Sequence, residues 1–204
     1  MKMSKGNVFI ISGPSGSGKD TILAKLFLKE PNLGFSISSI TRDMRENEVE
    51  GEKYHFITKE EFQELIKNDE LLEFNEFVGN YYGTPKAPVE ECINQGKDMI
   101  IEVDVNGAEQ IRKKMPEAIS IFIMPPSYEE LERRLTSRGT DSPEKIASRL
   151  FSALGEIKRA NEYNFIVTND DVDIAVDDVL HIILSERLRA ERQQKLILEV
   201  LKSC

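Results

Sequence analysis

Short apolar runs alternate along this chain with stretches whose apolar positions recur at helical spacing. Val8–Ser12 is followed by Thr21–Glu30, where Ile22, Leu23, Leu26 and Phe27 share one face. Asp98–Val103 precedes a helix from about Gly107, and Ala118–Met124 precedes one from Ser127. Asn164–Thr168 leads into a long helical tail. The run IFIMPP stops at Pro125-Pro126, and Ser127 with Glu130 forms a capping-box signal. Strands that alternate with helices predict βαβ units, and so an α/β fold whose parallel sheet is covered by helices on both faces.

Two segments break that rhythm. Phe35–Gly83 carries short alternating strands (FSIS, KYHFI, LLEFNEF) and one helix near Lys59–Lys67, the pattern of an inserted α+β subdomain. Arg138–Pro143, RGTDSP, is a polar hinge between two helices. The expected division is a core of residues 1–34 and 85–204, a lid at about 135–150, and a subdomain of 35–84. Such an arrangement suits an enzyme that closes over two substrates. In the tail, Val176, Val179, Leu180, Ile183, Leu184 and Leu188 keep helical spacing. Leu196, Ile197, Val200 and Leu201 can pack on the core or on a second subunit, so monomer and homo-oligomer both stay open.

Composition narrows the class of function. At 204 residues, 40% hydrophobic and 31% charged, the chain can build one substantial core. No apolar run reaches membrane-spanning length, and Val8–Ile11 is too short for a secretory signal, so a cytoplasmic location is expected. The net charge of −9, from 27 basic and 36 acidic residues, disfavours general nucleic-acid binding. The arginines are therefore read as local clusters. Cys92 and Cys204 lack metal-ligand spacing, and the isolated His55 and His181 are assigned no role.

The sharpest chemical signal is Gly13-Pro14-Ser15-Gly16-Ser17-Gly18-Lys19-Asp20-Thr21. Glycines at this spacing turn backbone N–H groups onto one phosphate, the following helix adds the positive end of its dipole, and Lys19 reaches the outer phosphates of a nucleoside triphosphate. Asp20 stands where a metal-touching hydroxyl is usual. Its carboxylate can hold Mg²⁺ directly or through water, repel the phosphates, or simply favour the first helical turn.

Four clusters follow. Arg42 and Arg45, with Tyr54 beyond, can converge on a second phosphate, or pair with Glu46, Glu48, Glu50 and Glu52. Glu73, in an apolar run, precedes Tyr81, Tyr82, Gly83 and Thr84; it either meets a ligand's N–H donors or faces solvent. Glu102 and Asp104 lie near the carboxyl end of Met99–Val103, where parallel sheets bind ligands, though Asp104 can equally cap the next helix. Arg133, Arg134, Arg138, Arg149 and Arg159 offer charge for phosphoryl transfer, or pair with Glu129, Glu130 and Glu132 on a solvated face.

Together these segments resemble the guanylate kinase family over nearly the whole chain. The resemblance rests on GPSGSGKDT, SSITRDMR, GEKYHF, GNYYGTP, IEVDVNG, PPS, RLTSRGT and TNDD, in that order. It implies a nucleotide-binding parallel sheet with an inserted GMP-binding subdomain and a lid, and ATP-dependent phosphorylation of GMP with Mg²⁺, dGMP being a second expected acceptor. By matching position, Gly13–Thr21 would hold ATP, with Asn169 near the adenine. Arg42, Arg45, Tyr54 and Tyr82 would hold the GMP phosphate, and Ser38, Glu73, Gly83, Thr84 and Asp104 would surround the guanine. Lys19, Arg42, Arg134, Arg138 and Arg149 would serve catalysis. Asp20, Met44 and Asn47 depart from the family's usual glycine or serine, proline and glycine, which bears on metal geometry and loop stiffness. The competing readings are a non-catalytic binding module of the same fold, a kinase for another phosphorylated acceptor, and a nucleotide sensor.

Overall fold

The computed structural model describes residues 5–46, 48–137 and 142–202, with only the backbone described at 195. Its centre is a five-stranded parallel sheet built from β1 (Val8–Ser12), β2 (Gly34–Phe35), β7 (Met99–Glu102), β8 (Ile119–Met124) and β9 (Phe165–Thr168), ordered β2-β7-β1-β8-β9. All of β1 is buried. Its continuous apolar run is what a strand covered on both faces requires. Alternate residues serve opposite sides. Phe9 and Ile11 pack with Ile22, Leu26 and Val176 of α1 (Lys19–Lys29) and α7 (Val172–Arg187). Val8 and Ile10 pack with Val89 and Ile111 of α3 (Lys86–Asn94) and α4 (Val105–Lys114).

The insertion builds a second sheet from β3 (Ser38–Ile40), β4 (Tyr54–Phe56), β5 (Leu71–Phe77) and β6 (Asn80–Pro85), ordered β4-β3-β6-β5. β3 and β4 run parallel, and β6 is antiparallel to both β3 and β5. α2 (Lys59–Lys67) covers it, started by a reciprocal Thr58–Glu61 capping box. Phe62 is its only buried residue and stacks on Tyr81 at 5.2 Å, with Phe74 edge-on at 6.5 Å. Strand β2, which contains Phe35, pairs with β7 and so belongs to the central sheet.

A smaller apolar cluster joins α5 (Tyr128–Thr136) to α6 (Pro143–Ile157) through Leu131, Leu135, Leu150 and Ala153. Ser127 caps α5 by accepting from the Glu130 N–H, at the position its sequence signal predicts. The helical tail is interrupted. α7 stops at Arg187, a single 3-10 turn follows at Ala190–Arg192, and α8 (Gln194–Lys202) resumes. Gln193 Nε2 donates to the Arg187 carbonyl at 2.9 Å, satisfying an acceptor the ended helix leaves open. Among the described residues, no helix is long and apolar enough to cross a membrane.

Phe62→Ala empties the middle of the second sheet's packing. We expect a loss of about 3–5 kcal/mol, the usual range for deleting a fully buried phenyl ring, read as a lower urea midpoint.

Candidate active site

β1 delivers its loop to the carboxyl edge of the sheet, where open α/β sheets bind ligands. Two glycines there are dictated by backbone geometry. Gly13 has φ +145°, and a Cβ on it would lie 2.4 Å from the Ile123 carbonyl oxygen. Gly18 has φ +92°, and a Cβ would lie 2.2 Å from Asn169 Nδ2. The loop closes through Ser17 N–H donating to the Pro14 carbonyl at 3.0 Å. Gly18, left-handed, starts α1 at Lys19, two residues earlier than the apolar spacing suggests. Ser17 is buried, whereas Ser15, Asp20 and Thr21 are exposed at the mouth of the loop.

Asn169 props this loop from beneath. It is buried, and its Nδ2 donates to the Ser17 carbonyl at 2.7 Å. The structure thus gives it a direct contact with the loop. Arg134 braces the same corner: Nη2 donates to the Asn169 carbonyl at 2.9 Å and Nε to Glu130 at 2.8 Å. Lys19 folds back, its ammonium donating to the carbonyls of Gly13 at 2.5 Å and Pro14 at 3.2 Å. Burial lowers its pKa, against the opposing pull of Glu102 and Glu156.

The second cluster forms on the inserted sheet. Arg42 makes a two-pronged contact with Glu48, both bonds 2.6 Å, and its guanidinium lies 5.4 Å from the Tyr54 ring and 5.7 Å from the Phe56 ring. The Arg45 backbone N–H donates to the same Glu48 at 2.9 Å. Those hydrogen bonds, Arg42's first, bring the Glu48 carboxyl down to about 2. Glu48, and to a smaller extent the nearby Tyr82, holds the Arg42 guanidinium above its ordinary range. Glu50 turns away to His55 at 2.8 Å, so of these two glutamates one braces the cluster and one does not. Met44 is exposed, and Asn47 lies outside the described residues.

Glu73 is 5% exposed and accepts from Thr84 Oγ1 at 2.7 Å. Burial pushes its carboxyl up to about 7, with the nearby Asp104 charge adding to the rise and the Thr84 hydrogen bond opposing it. Asp104 caps α4, accepting from Asn106 N–H at 2.9 Å and Gly107 N–H at 2.8 Å, while Asn75 approaches it at 3.4 Å. The capping reading of Asp104 is therefore observed, and the same carboxylate also lines the groove.

These parts meet in one groove. A cavity of about 330 Å³ beside Gly13, Ser15 and Lys19 adjoins another of about 380 Å³ beside Glu73, Tyr82 and Gly83. Ser38, Tyr54, Glu102, Val103 and Asp104 line both. α6 places Arg149 Nη2 on Ser15 Oγ at 2.5 Å and, two turns later, Glu156 in the first cavity. Burial raises the Glu156 carboxyl, opposed by Lys19. Arg138 lies outside the described residues. Arg133 pairs with Glu130 and stays exposed, the solvated-face outcome. Arg159 pairs with Glu109 and Glu162.

Two groove residues, Lys53 and Glu156, and the Arg42 partner Glu48 escape a reading of the sequence alone. Glu48 was one of four interchangeable acids there, and Lys53 carried no signal beyond its place before Tyr54. Glu156 was legible only as the residue seven positions after Arg149, on the same face of a helix.

A phosphate loop of this type on a parallel sheet, facing an inserted sheet that carries a buried acid and an arginine cluster, defines the P-loop class of small nucleotide phosphotransferases. The chain belongs to the guanylate kinase family: the family model for guanylate kinase matches residues 5–186. It is 49% identical to the guanylate kinase of Oceanobacillus iheyensis over 202 residues, 98% of each chain. It is 46% identical to that of Lactococcus lactis, covering 92% of each. The crystal structure of guanylate kinase from Anaplasma phagocytophilum superposes with a TM-score of 0.77 at 33% identity, covering 98% of this chain and 96% of that one.

The raised Glu73 carboxyl has a consequence for stability. The folded state keeps the proton to about pH 7, the unfolded chain only to about 4.5. Its contribution is thus fully present below pH 4.5 and is lost as pH rises through 7, a swing of about 3 kcal/mol. Urea midpoints of Glu73→Gln measured at pH 5 and pH 8 should lack this component, which the native protein retains.

Proposed function

We propose that this chain transfers the γ-phosphoryl group of ATP to GMP, giving ADP and GDP. The observation that carries the reading is the continuous groove, with Lys19 and the glycine loop at one end and the buried Glu73 at the other. The loop's amides face the donor phosphates, and Lys19 exchanges its two carbonyl partners for phosphate oxygens. Arg42, Arg45, Tyr54 and Tyr82 take the acceptor's phosphate, with Glu48 keeping the Arg42 fork oriented. Glu73, with Thr84, accepts from the ring N–H and exocyclic amine of guanine, donors that adenine does not present in that pattern. Ser38, Gly83 and Asp104 complete that pocket.

No covalent intermediate or general base is required, because the acceptor's phosphate oxygen is already a nucleophile. Rate comes from alignment and from positive charge around the migrating group. Arg149 reaches the loop from the lid helix, and Arg134 keeps the loop in shape. Mg²⁺ belongs to this reading. The ammonium of Lys53 lies against the Asp20 and Glu102 carboxylates, so the mouth of the loop favours a cation, and hard oxygen donors suit magnesium. With Asp20 already paired to Lys53, Glu102 would hold it through water, and it would neutralise charge on the donor phosphates. A cytoplasmic location and dGMP as a second acceptor are part of the same proposal.

A non-catalytic module of this fold is disfavoured by the intact Lys19 and by the braced Arg42 cluster. The deciding assay follows ADP formation from Mg-ATP with GMP, dGMP, AMP, CMP, UMP and IMP. Turnover should be confined to the guanine nucleotides, and Lys19→Ala should lower kcat by about 10²–10³-fold. Binding of GMP without turnover would instead indicate a sensor. Glu73→Ala should raise the KM for GMP and erode its advantage over IMP, with kcat changing less. Full preference for GMP in that variant would remove Glu73 from base recognition.

A further inference from the structure

Asp20 puts a negative charge in the first turn of α1, directly after the phosphate-binding Lys19. Left alone, that carboxylate opposes any polyphosphate held by the loop. The structure supplies its counter-charge from the other sheet. Lys53, immediately before β4, reaches across the groove with its ammonium 2.5 Å from Asp20 Oδ1 and 3.4 Å from Glu102 Oε2 at the end of β7. Its own backbone is tied to the inserted sheet, the Lys53 carbonyl accepting from Ser38 N–H at 3.3 Å. Lys53 and Lys19 line the same cavity.

We propose that Lys53 is a positioning residue of the transfer reaction: it neutralises Asp20 and ties the donor loop to the acceptor sheet, so that Asp20 and Lys53 act as one unit. Electrostatics agree with the geometry. Burial opposes the Lys53 charge, but the Asp20 hydrogen bond and the Glu102 charge outweigh it and hold the ammonium above its ordinary range. Both members are substantially exposed, 44% and 69%, so the pair adds little to folding stability. Its effect should fall on nucleotide binding instead.

The proposal rests on the ATP-binding reading above, and the test separates the two. Binding of Mg-ATP and of GMP by calorimetry, kcat and KM, and the urea midpoint are measured for the native protein, Lys53→Met, Lys53→Arg, Asp20→Ser and the double variant Asp20→Ser/Lys53→Met. Lys53→Met should weaken Mg-ATP binding about tenfold with an unchanged urea midpoint, and the double variant should recover to within about threefold of native, the non-additivity of a coupled pair. Lys53→Arg and Asp20→Ser should stay near native. Native protein that fails to bind Mg-ATP overturns the underlying reading and this proposal with it. Native binding that Lys53→Met leaves unchanged, or a double variant as weak as Lys53→Met, overturns this proposal alone. So does an Asp20→Ser variant that alone loses Mg-ATP binding as strongly, since Asp20 would then act on the metal.

Discussion

The site depends on where β1 ends. A parallel ladder holds this strand between β7 and β8, with Phe9 opposite Ile100 on one side and Ile119 on the other. After Ser12 the chain has to leave the sheet, reverse into α1 and keep its N–H groups free for a ligand. Backbone with positive φ at Gly13, Gly16 and Gly18 achieves the turn, and the buried Asn169 fills the space a side chain at Gly18 would need. Asn169 is itself pinned by Arg134, so residues far apart in sequence decide the loop's shape. The positive end of the α1 dipole opens directly onto this loop.

Burial then sets the charges of the groove. It weakens the ionised form of Lys19 at one end and of Glu73 at the other, and raises Tyr54 between them. Lys19 is met by the carbonyls of Gly13 and Pro14, and Glu73 by the Thr84 hydroxyl. Perturbed groups of opposite sense facing one cleft are a mark of a functional site. Arg42 differs. Glu48 takes the two-pronged edge of its guanidinium and fixes the orientation of its plane.

Much of the architecture was legible because burial on two faces leaves a plain trace. The apolar runs at β1, β7 and β8 and the helical faces after them follow directly from a covered parallel sheet, and Ser127 announced α5 through its cap. The loop was legible because its chemistry demands glycines and lysine in a local order. Other features had no local trace. The tail looked like one helix, since apolar spacing continues past Leu188, but α7 ends at Arg187 and a 3-10 turn follows at Ala190–Arg192. Asn169 was expected near the adenine by resemblance, and its support of the loop at Gly18 shows only in the packing.

The sequence by itself therefore determined the fold class, the phosphate loop and the family, because each is written in contiguous residues whose spacing has one physical meaning. Tertiary structure decided which polar residues became the site. Whether a glutamate is a brace, like Glu48, a surface acid, like Glu50, or a buried acid held by a hydroxyl, like Glu73, depends on what lies within a few ångströms from other elements. The meeting of Lys53 with Asp20 is of the same kind: two charges 33 positions apart become one feature only when the two sheets face each other across the groove.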